Sequence, residues 1–166
     1  MGKTERVDPV TLHPFSPELA HDVLAGIRCE RWADGFPTDG DREVAGRIAD
    51  GTWTPTSAAR PWGPWAVHAG AVLVGGAGFH GPPDADGCVE IGYGIAEELR
   101  GQGLATAAVS KVLVLAREHG ARKVVAGTDP DNIASQRVLE HCGFVRDGDA
   151  DDELRWALPL LAQSTA

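Results

Sequence analysis

Positions 100–106 read Arg100-Gly101-Gln102-Gly103-Leu104-Ala105-Thr106: one fixed cation, two glycines a single position apart, then a run of helix formers. The backbone N–H groups at a helix start have no intrahelical partner, and the helix dipole favours negative charge there. Glycine tolerates the positive φ angles that let successive N–H groups converge on one anion. The chemistry on offer is therefore anion binding, with phosphate the leading ligand. Two familiar phosphate loops do not fit. The nucleotide-hydrolase pattern G-x-x-x-x-G-K-[ST] is absent from the chain, and G-x-G-x-x-G would need Gly or Ala where Thr106 stands, in an early βαβ unit.

Other residues suggest chemistry less sharply. The acidic run "DGDADDE" at 147–153 opens like a calcium loop, but its sixth position is Asp152 and its twelfth is Leu158, so calcium is rejected. It reads as a solvated hairpin loop, or as a cation-receiving rim in which Asp151 or Glu153 helps to bind or deprotonate an amine. Trp32, Phe36, Trp53, Trp62 and Trp65 crowd one stretch and could line an amphipathic acceptor site. Packing beneath long loops is the alternative, and the stronger one for Trp65. The six histidines include no H-x-x-x-H pair on a helix, so no metal is assigned. Cys29, Cys88 and Cys142 have neither disulfide nor zinc spacing and read as reduced thiols packed as small hydrophobes.

The elements that must position these residues follow from hydrophobic period and punctuation. The 166 residues are the size of one domain with a substantial core, so 1–166 is read as a single domain. A net charge of −9 argues against a nucleic-acid partner. No apolar run reaches the ~18 residues of a membrane span and no secretory signal is visible, so the expected location is the cytoplasm. Residues 5–13 read as an edge strand because of Pro9. Ser16-Pro17 opens a helix, and 40–51 is a second, short one. Runs starting at Trp65, Ala71 and Cys88 are strands joined by tight turns, with a hairpin loop over 81–87. A helix over 104–119, a strand over 122–128, a helix from Asp131 or Asn132 to Gly143 and two last strands complete an α/β domain with a mixed sheet.

Arg100, Gly103 and Ala105 meet the pattern R/Q-x-x-G-x-G/A, which resembles the acyl-CoA loop of the GCN5-related N-acetyltransferase (GNAT) family. "VEIGYGI" resembles the family's fourth strand, which splays from its neighbour to admit pantetheine. Asn132-x-x-Ser135-x-x-Val138-Leu139-Glu140-x-x-Gly143-Phe144 is similar to the family's later helix. The resemblance covers roughly residues 7–160 and implies a mostly antiparallel mixed sheet of about seven strands, flanked by about four helices and splayed at the fourth and fifth strands. The Leu-Glu ending and Ser135 look most like the branch acetylating ribosomal proteins and other N-terminal amines.

The resemblance also implies roles. Acetyl-CoA is the acyl-donor cosubstrate. The amides of Gly101, Gln102, Gly103, Leu104, Ala105 and Thr106 hold its pyrophosphate, with Arg100 assisting by charge. Tyr93, Gly94 and Ile95 pair with the pantetheine amides as a false strand, and Asn132 and Ser135 meet the lower pantetheine. Plain sheet pairing, helix capping for Asn132 and first-turn hydrogen bonding for Ser135 are the structural alternatives. Glu90, between Val89 and Ile91, stands where several members keep a catalytic glutamate, and partial burial suits a carboxylate to proton transfer near neutral pH. Its alternative is a solvent-facing or Arg-paired strand glutamate. Many members have Tyr at the position of Leu139, which cannot donate a proton, leaving Ser135, water or no acid; Tyr93 is weighed and read mainly as core. A backbone N–H near Ile95 is the expected oxyanion donor.

The expected activity is N-acetylation of a primary amine by direct attack in a ternary complex. The acceptor is a small molecule, for instance an aminoglycoside-type polyamine, or a peptide N-terminus. A non-catalytic acyl-CoA-binding sensor or scaffold is the alternative, and Gly92 and Gly94 leave room for a longer acyl group. Family members are often dimers, so the resemblance leaves a homodimer open.

Overall fold

Side chains supply the start signals of the first two helices. Ser16 accepts the N–H of Leu19 at 3.1 Å, Pro17 fills the first helical position, and α1 runs Pro17–Ala25. Thr38 caps α2, Asp39–Ala49, in a reciprocal pair: its hydroxyl accepts from Asp41 N (3.2 Å), and the Asp41 carboxylate accepts from Thr38 N (2.8 Å). The computed structural model describes residues 9–55 and 60–161.

Seven strands form one sheet in the order β1-β2-β3-β4-β5-β7-β6. They are β1 Val10–Pro14, β2 Pro64–Ala69, β3 Val72–Phe79, β4 Cys88–Ile95, β5 Lys123–Thr128, β6 Val145–Ala150 and β7 Glu153–Pro159. The pair β4–β5 is parallel and every other pair is antiparallel. The crossover between β4 and β5 is α3, Leu104–Glu118, whose stripe Leu104, Ala108, Val109 and Val112 is buried. A last helix, α4, Ile133–His141, buries Leu139 completely.

The feature that shapes the site is the seam between β4 and β5. They pair only over Cys88–Glu90 and Lys123–Val125, whereas β4 stays paired to β3 from Ile91 to Ile95. Beyond Glu90 the two strands part, as expected for the fourth and fifth strands.

Several expectations need correction. The first strand begins at Val10 within the described residues, and positions 5–8 of the expected strand lie outside them. The glycine loop does not follow β4 directly: a short 3-10 turn, Glu97–Leu99, intervenes, tied down where Glu98 accepts the N–H of Gly35 at 2.7 Å. The acidic run is mostly strand. β6 reaches Ala150, and only Asp151 and Asp152 turn, both at positive φ (50° and 65°). Cys29 is exposed rather than packed, while Cys88 and Cys142 are half-buried.

Candidate active site

The glycine loop has the geometry its residue types call for. Gly101 and Gly103 lie at φ 80° and 78°, in the left-handed region, and Gly103 caps α3 without any side-chain hydrogen bond. The first helical bond runs from Ala107 N to the Gly103 carbonyl (3.0 Å), which leaves the N–H groups of Leu104, Ala105 and Thr106 aimed outward. Arg100 folds back from this loop, its Nε donating to the Ile95 carbonyl at 3.4 Å.

The open edge of β4 points at the same place. His80 N bonds the Glu90 carbonyl and Ala96 N bonds the Val74 carbonyl, so the even-numbered residues of β4 exchange bonds with β3. By alternation, the N–H and C=O of Tyr93 and Ile95 face the parted seam. Gly94 is the exception among the three residues expected there: its backbone faces β3.

Under α2 the sheet carries a cleft of about 710 Å³. Its floor is bare because two glycine pairs lie directly across from each other, Gly76 against Gly94 and Gly78 against Gly92. A Cβ at Gly76 would come within 2.6 Å of Asp41 Oδ1, and one at Gly92 within 2.8 Å of His80 Nε2. Both pairs therefore face the cleft, where a side chain would fill it. Asp41, Val44, Arg47 and Trp53 line the walls. Asp41 is only 3% exposed, and burial pushes its carboxyl up to about 6 despite the two hydrogen bonds from Thr38 and the nearby charge of Arg42.

Glu90 lies at the foot of the seam with its side chain 39% exposed. Its Oε1 is 3.3 Å from Arg155 Nη1, and its Oε2 is 3.8 Å from His80 Nδ1. His80 lines the cleft and stacks on Trp53 at 5.3 Å, so Glu90 communicates with the cleft through an imidazole. Ser135 sits on the other side of β4. Its hydroxyl is 2.6 Å from the Tyr93 hydroxyl, which also donates to the Ser135 carbonyl at 3.0 Å. Burial pushes the Tyr93 phenol up to about 12. Tyr93 is thus half-buried, packed against the core as expected, and joined to Ser135 as well. Asn132 caps α4, its Oδ1 accepting from Ser135 N at 3.1 Å.

Of the residues expected at the acceptor site, Trp32, Phe36, Asp151 and Glu153 are not brought to the cleft. Phe36 is fully buried and Trp32 packs edge-on against it at 5.0 Å, so both serve the core beneath the 26–38 connection. Glu153 leans on Arg155 (3.4 Å) and Asp151 occupies the β6–β7 turn; neither lines the cleft. Trp53 and Trp65 do line it, and Trp62 packs on Phe79 at 4.9 Å. Sequence reasoning missed Asp41 and His80. The capping-box spacing Thr38-x-x-Asp41 is the signal that marks the first, and no local signal marks the second.

A family model described as "Acetyltransferase (GNAT) domain" matches residues 10–145. The chain belongs to the GNAT acetyltransferase family. A curated relative, the uncharacterized N-acetyltransferase YjdG of Bacillus subtilis (strain 168), is 35% identical over 86 residues, 51% of each chain. The matched stretch therefore spans about half of that relative's length. Among solved structures, Mycobacterium smegmatis RimJ in complex with CoA-disulfide aligns with a TM-score of 0.63 at 23% identity, over 90% of this chain and 81% of that one. The putative acetyltransferase yncA from Salmonella typhimurium with acetyl-CoA aligns with a TM-score of 0.58 at 20% identity, over 95% and 98%. These likenesses establish the fold. Among the described residues no helix is long and apolar enough to cross a membrane.

Proposed function

We propose that this chain transfers an acetyl group from acetyl-CoA to a primary amine by direct attack within a ternary complex. The observation that carries the reading is the unpaired edge of β4 from Ile91 to Ile95, adjoining an uncapped helix start with two left-handed glycines. An extended amide-bearing chain can add to that edge while its diphosphate meets the amides from Gly101 to Thr106. The solved structures named above with CoA and acetyl-CoA support the same cosubstrate.

In this reading the amine nitrogen attacks the thioester carbonyl, the C–N bond forms and the C–S bond breaks. Glu90 receives the amine proton through water or His80, and the Ile95 N–H, which faces the seam, steadies the developing oxyanion. Ser135, or a water held by it, passes a proton to the leaving thiolate and is reprotonated from solvent, with Tyr93 bonded behind it. A covalent enzyme intermediate is not called for. The Ser135 hydroxyl touches a phenol rather than a base, and burial pushes the Cys142 thiol up, away from thiolate. One observation favours a non-catalytic acyl-CoA-binding module: Leu139, where many family members carry Tyr, is fully buried and offers no acid.

Melting curves with acetyl-CoA test the cosubstrate. At ~100 times its dissociation constant, ligand adds about 2.7 kcal/mol, or roughly 5–10 °C for a chain of this size. No dose-dependent rise at millimolar ligand would remove the reading. Amine-dependent release of free CoA thiol separates enzyme from sensor.

A further inference from the structure

Three acidic side chains line the cleft, and they are not equivalent. Asp39 pairs with Arg42 (3.2 Å) and Glu43 pairs with Arg47 (2.8 Å), out in solvent. Asp41 is buried, and both of its bonds, from Thr38 N and Thr38 Oγ1 at 2.8 Å each, fall on Oδ2. Its Oδ1 has no hydrogen-bond or ion-pair partner among the described residues. That oxygen lies against Gly76, over the bare glycine floor. The cleft's own cations are engaged elsewhere: Arg47 on Glu43 and over the Trp53 ring (4.9 Å), Arg100 on the Ile95 carbonyl. Asp41 is buried as a residue while its Oδ1 opens to the cleft, so its charge is poorly solvated and a cation arriving from the cleft offsets that cost.

We propose that Asp41 Oδ1 anchors the ammonium of the acceptor, and that the acceptor is a monoamine on an apolar body. This deepens the N-acetyltransferase reading and rests on it. One uncompensated carboxylate asks for one positive charge, because the rim acids already have their arginines. The Trp53 ring and the half-buried Val44 at the cleft wall suit an apolar or aromatic body. The position also suits the chemistry. Gly76 is paired with Gly94, next to the Tyr93 and Ile95 groups that face the seam, so an amine held at Oδ1 lies over β3, about two strand spacings, ~10 Å, from a chain added to the open edge of β4, and the bare glycine floor leaves that distance open to the acceptor. The same chemistry is presented by a free arylalkylamine and by a chain terminus that begins with an apolar residue.

The test uses the full chain with saturating acetyl-CoA and four probes: 2-phenylethylamine, phenylalanyl-alanine amide, spermidine and 2-phenylethanol. Thiol release is followed in wild type and Asp41→Asn. The asparagine keeps the volume and can still accept from Thr38 N, but then turns a neutral N–H donor to the cleft in place of the carboxylate oxygen. The expected result is turnover of one or both monoamines in preference to spermidine. In Asp41→Asn the amine KM rises by about ten- to a hundred-fold, while acetyl-CoA affinity holds and the kcat change is the smaller one. Which monoamine is favoured distinguishes a small amine from a chain terminus. An unchanged amine KM in the variant overturns the proposal, as does a preference for spermidine, or no turnover of either monoamine by a protein that binds acetyl-CoA. Should the variant not fold, wild type alone decides: with CoA present, 2-phenylethylamine raises the melting temperature and isosteric 2-phenylethanol does not, and equal shifts overturn the anchor. Failure to bind acetyl-CoA at all is a different result and takes down the underlying reading.

Discussion

Asp41 should leave a signature in stability as well as in recognition. Burial raises its carboxyl from an ordinary 3.8 to about 6. The folded chain thus holds the Asp41 proton more tightly than the unfolded chain does. Stability from this residue is full at acid pH and is lost as pH rises through about 4 to 6, the reverse of the usual salt-bridged carboxylate. A difference of about two pH units at 1.36 kcal/mol each corresponds to about 3 kcal/mol in total. About 2 kcal/mol of that falls between pH 4.5 and 8, where unfolding can be followed by urea titration. Asp41→Asn cannot ionise, so its stability relative to wild type should climb by about 2 kcal/mol across that window, or roughly 4–8 °C in melting temperature.

The comparison is a difference of differences. Any fixed cost of placing Asn in the capping box cancels, because it does not vary with pH. His68 cancels as well. Burial lowers its pKa below 6.5, so it costs stability as pH falls, but it does so in both proteins. Stability curves for wild type and Asp41→Asn that run parallel from pH 4.5 to 8 would refute the reasoning: Asp41 would then be hydrated or paired. A wild-type advantage growing with pH would give it the wrong sign altogether. An amine bound at Oδ1 should itself flatten the wild-type curve, since a cation compensates the buried charge.

Three further outcomes are expected. Glu90→Gln should lower turnover by about 10²–10⁴-fold while leaving acetyl-CoA affinity intact; unchanged turnover means that Glu90 is not the base, and lost affinity means that it acts through the fold. Tyr93→Phe removes the 2.6 Å contact with Ser135 and should cost about 1 kcal/mol in chemical denaturation. It should also slow thiol release at fixed acetyl-CoA occupancy if Ser135 supplies the proton. Gly103→Ala places a Cβ at φ 78°, which should cost about 1–2 kcal/mol and weaken acetyl-CoA more than the acceptor, as read from paired titrations.

What the sequence made legible was what neighbours in the chain decide. Ser16-Pro17, Gly101 and Gly103 each act within a few residues, and each stands as its type suggests. The parted seam was legible only through family resemblance, because no local pattern in β4 reveals that its partner is missing beyond Glu90. The cleft was not legible. Its floor exists because Gly76 meets Gly94 and Gly78 meets Gly92, and register between strands is invisible in either strand alone. Trp32 and Phe36 were misplaced for a related reason: aromatic crowding in sequence does not say which rings face a cleft and which face the core.

The two carboxylates on this face of β3 and β4 show why role must follow environment. Glu90 has a cation of its own chain beside it, Arg155 at 3.3 Å, and the His80 imidazole at 3.8 Å, so its charge is compensated by Arg155 whether or not an acceptor is present. Asp41 has hydrogen bonds on one oxygen, nothing on the other and only the nearby charge of Arg42, so the arrival of an acceptor completes the compensation of its charge. A group of the first kind can accept a proton and pass it to solvent without unsettling the site. A group of the second kind makes occupancy and charge balance the same event. That division assigns deprotonation to Glu90 and recognition to Asp41. It also predicts that exchanging their substitutions separates the constants: Glu90→Gln acts on kcat, and Asp41→Asn on the amine KM. If both variants moved the same constant by the same factor, the two carboxylates would be one functional unit and the division would fail.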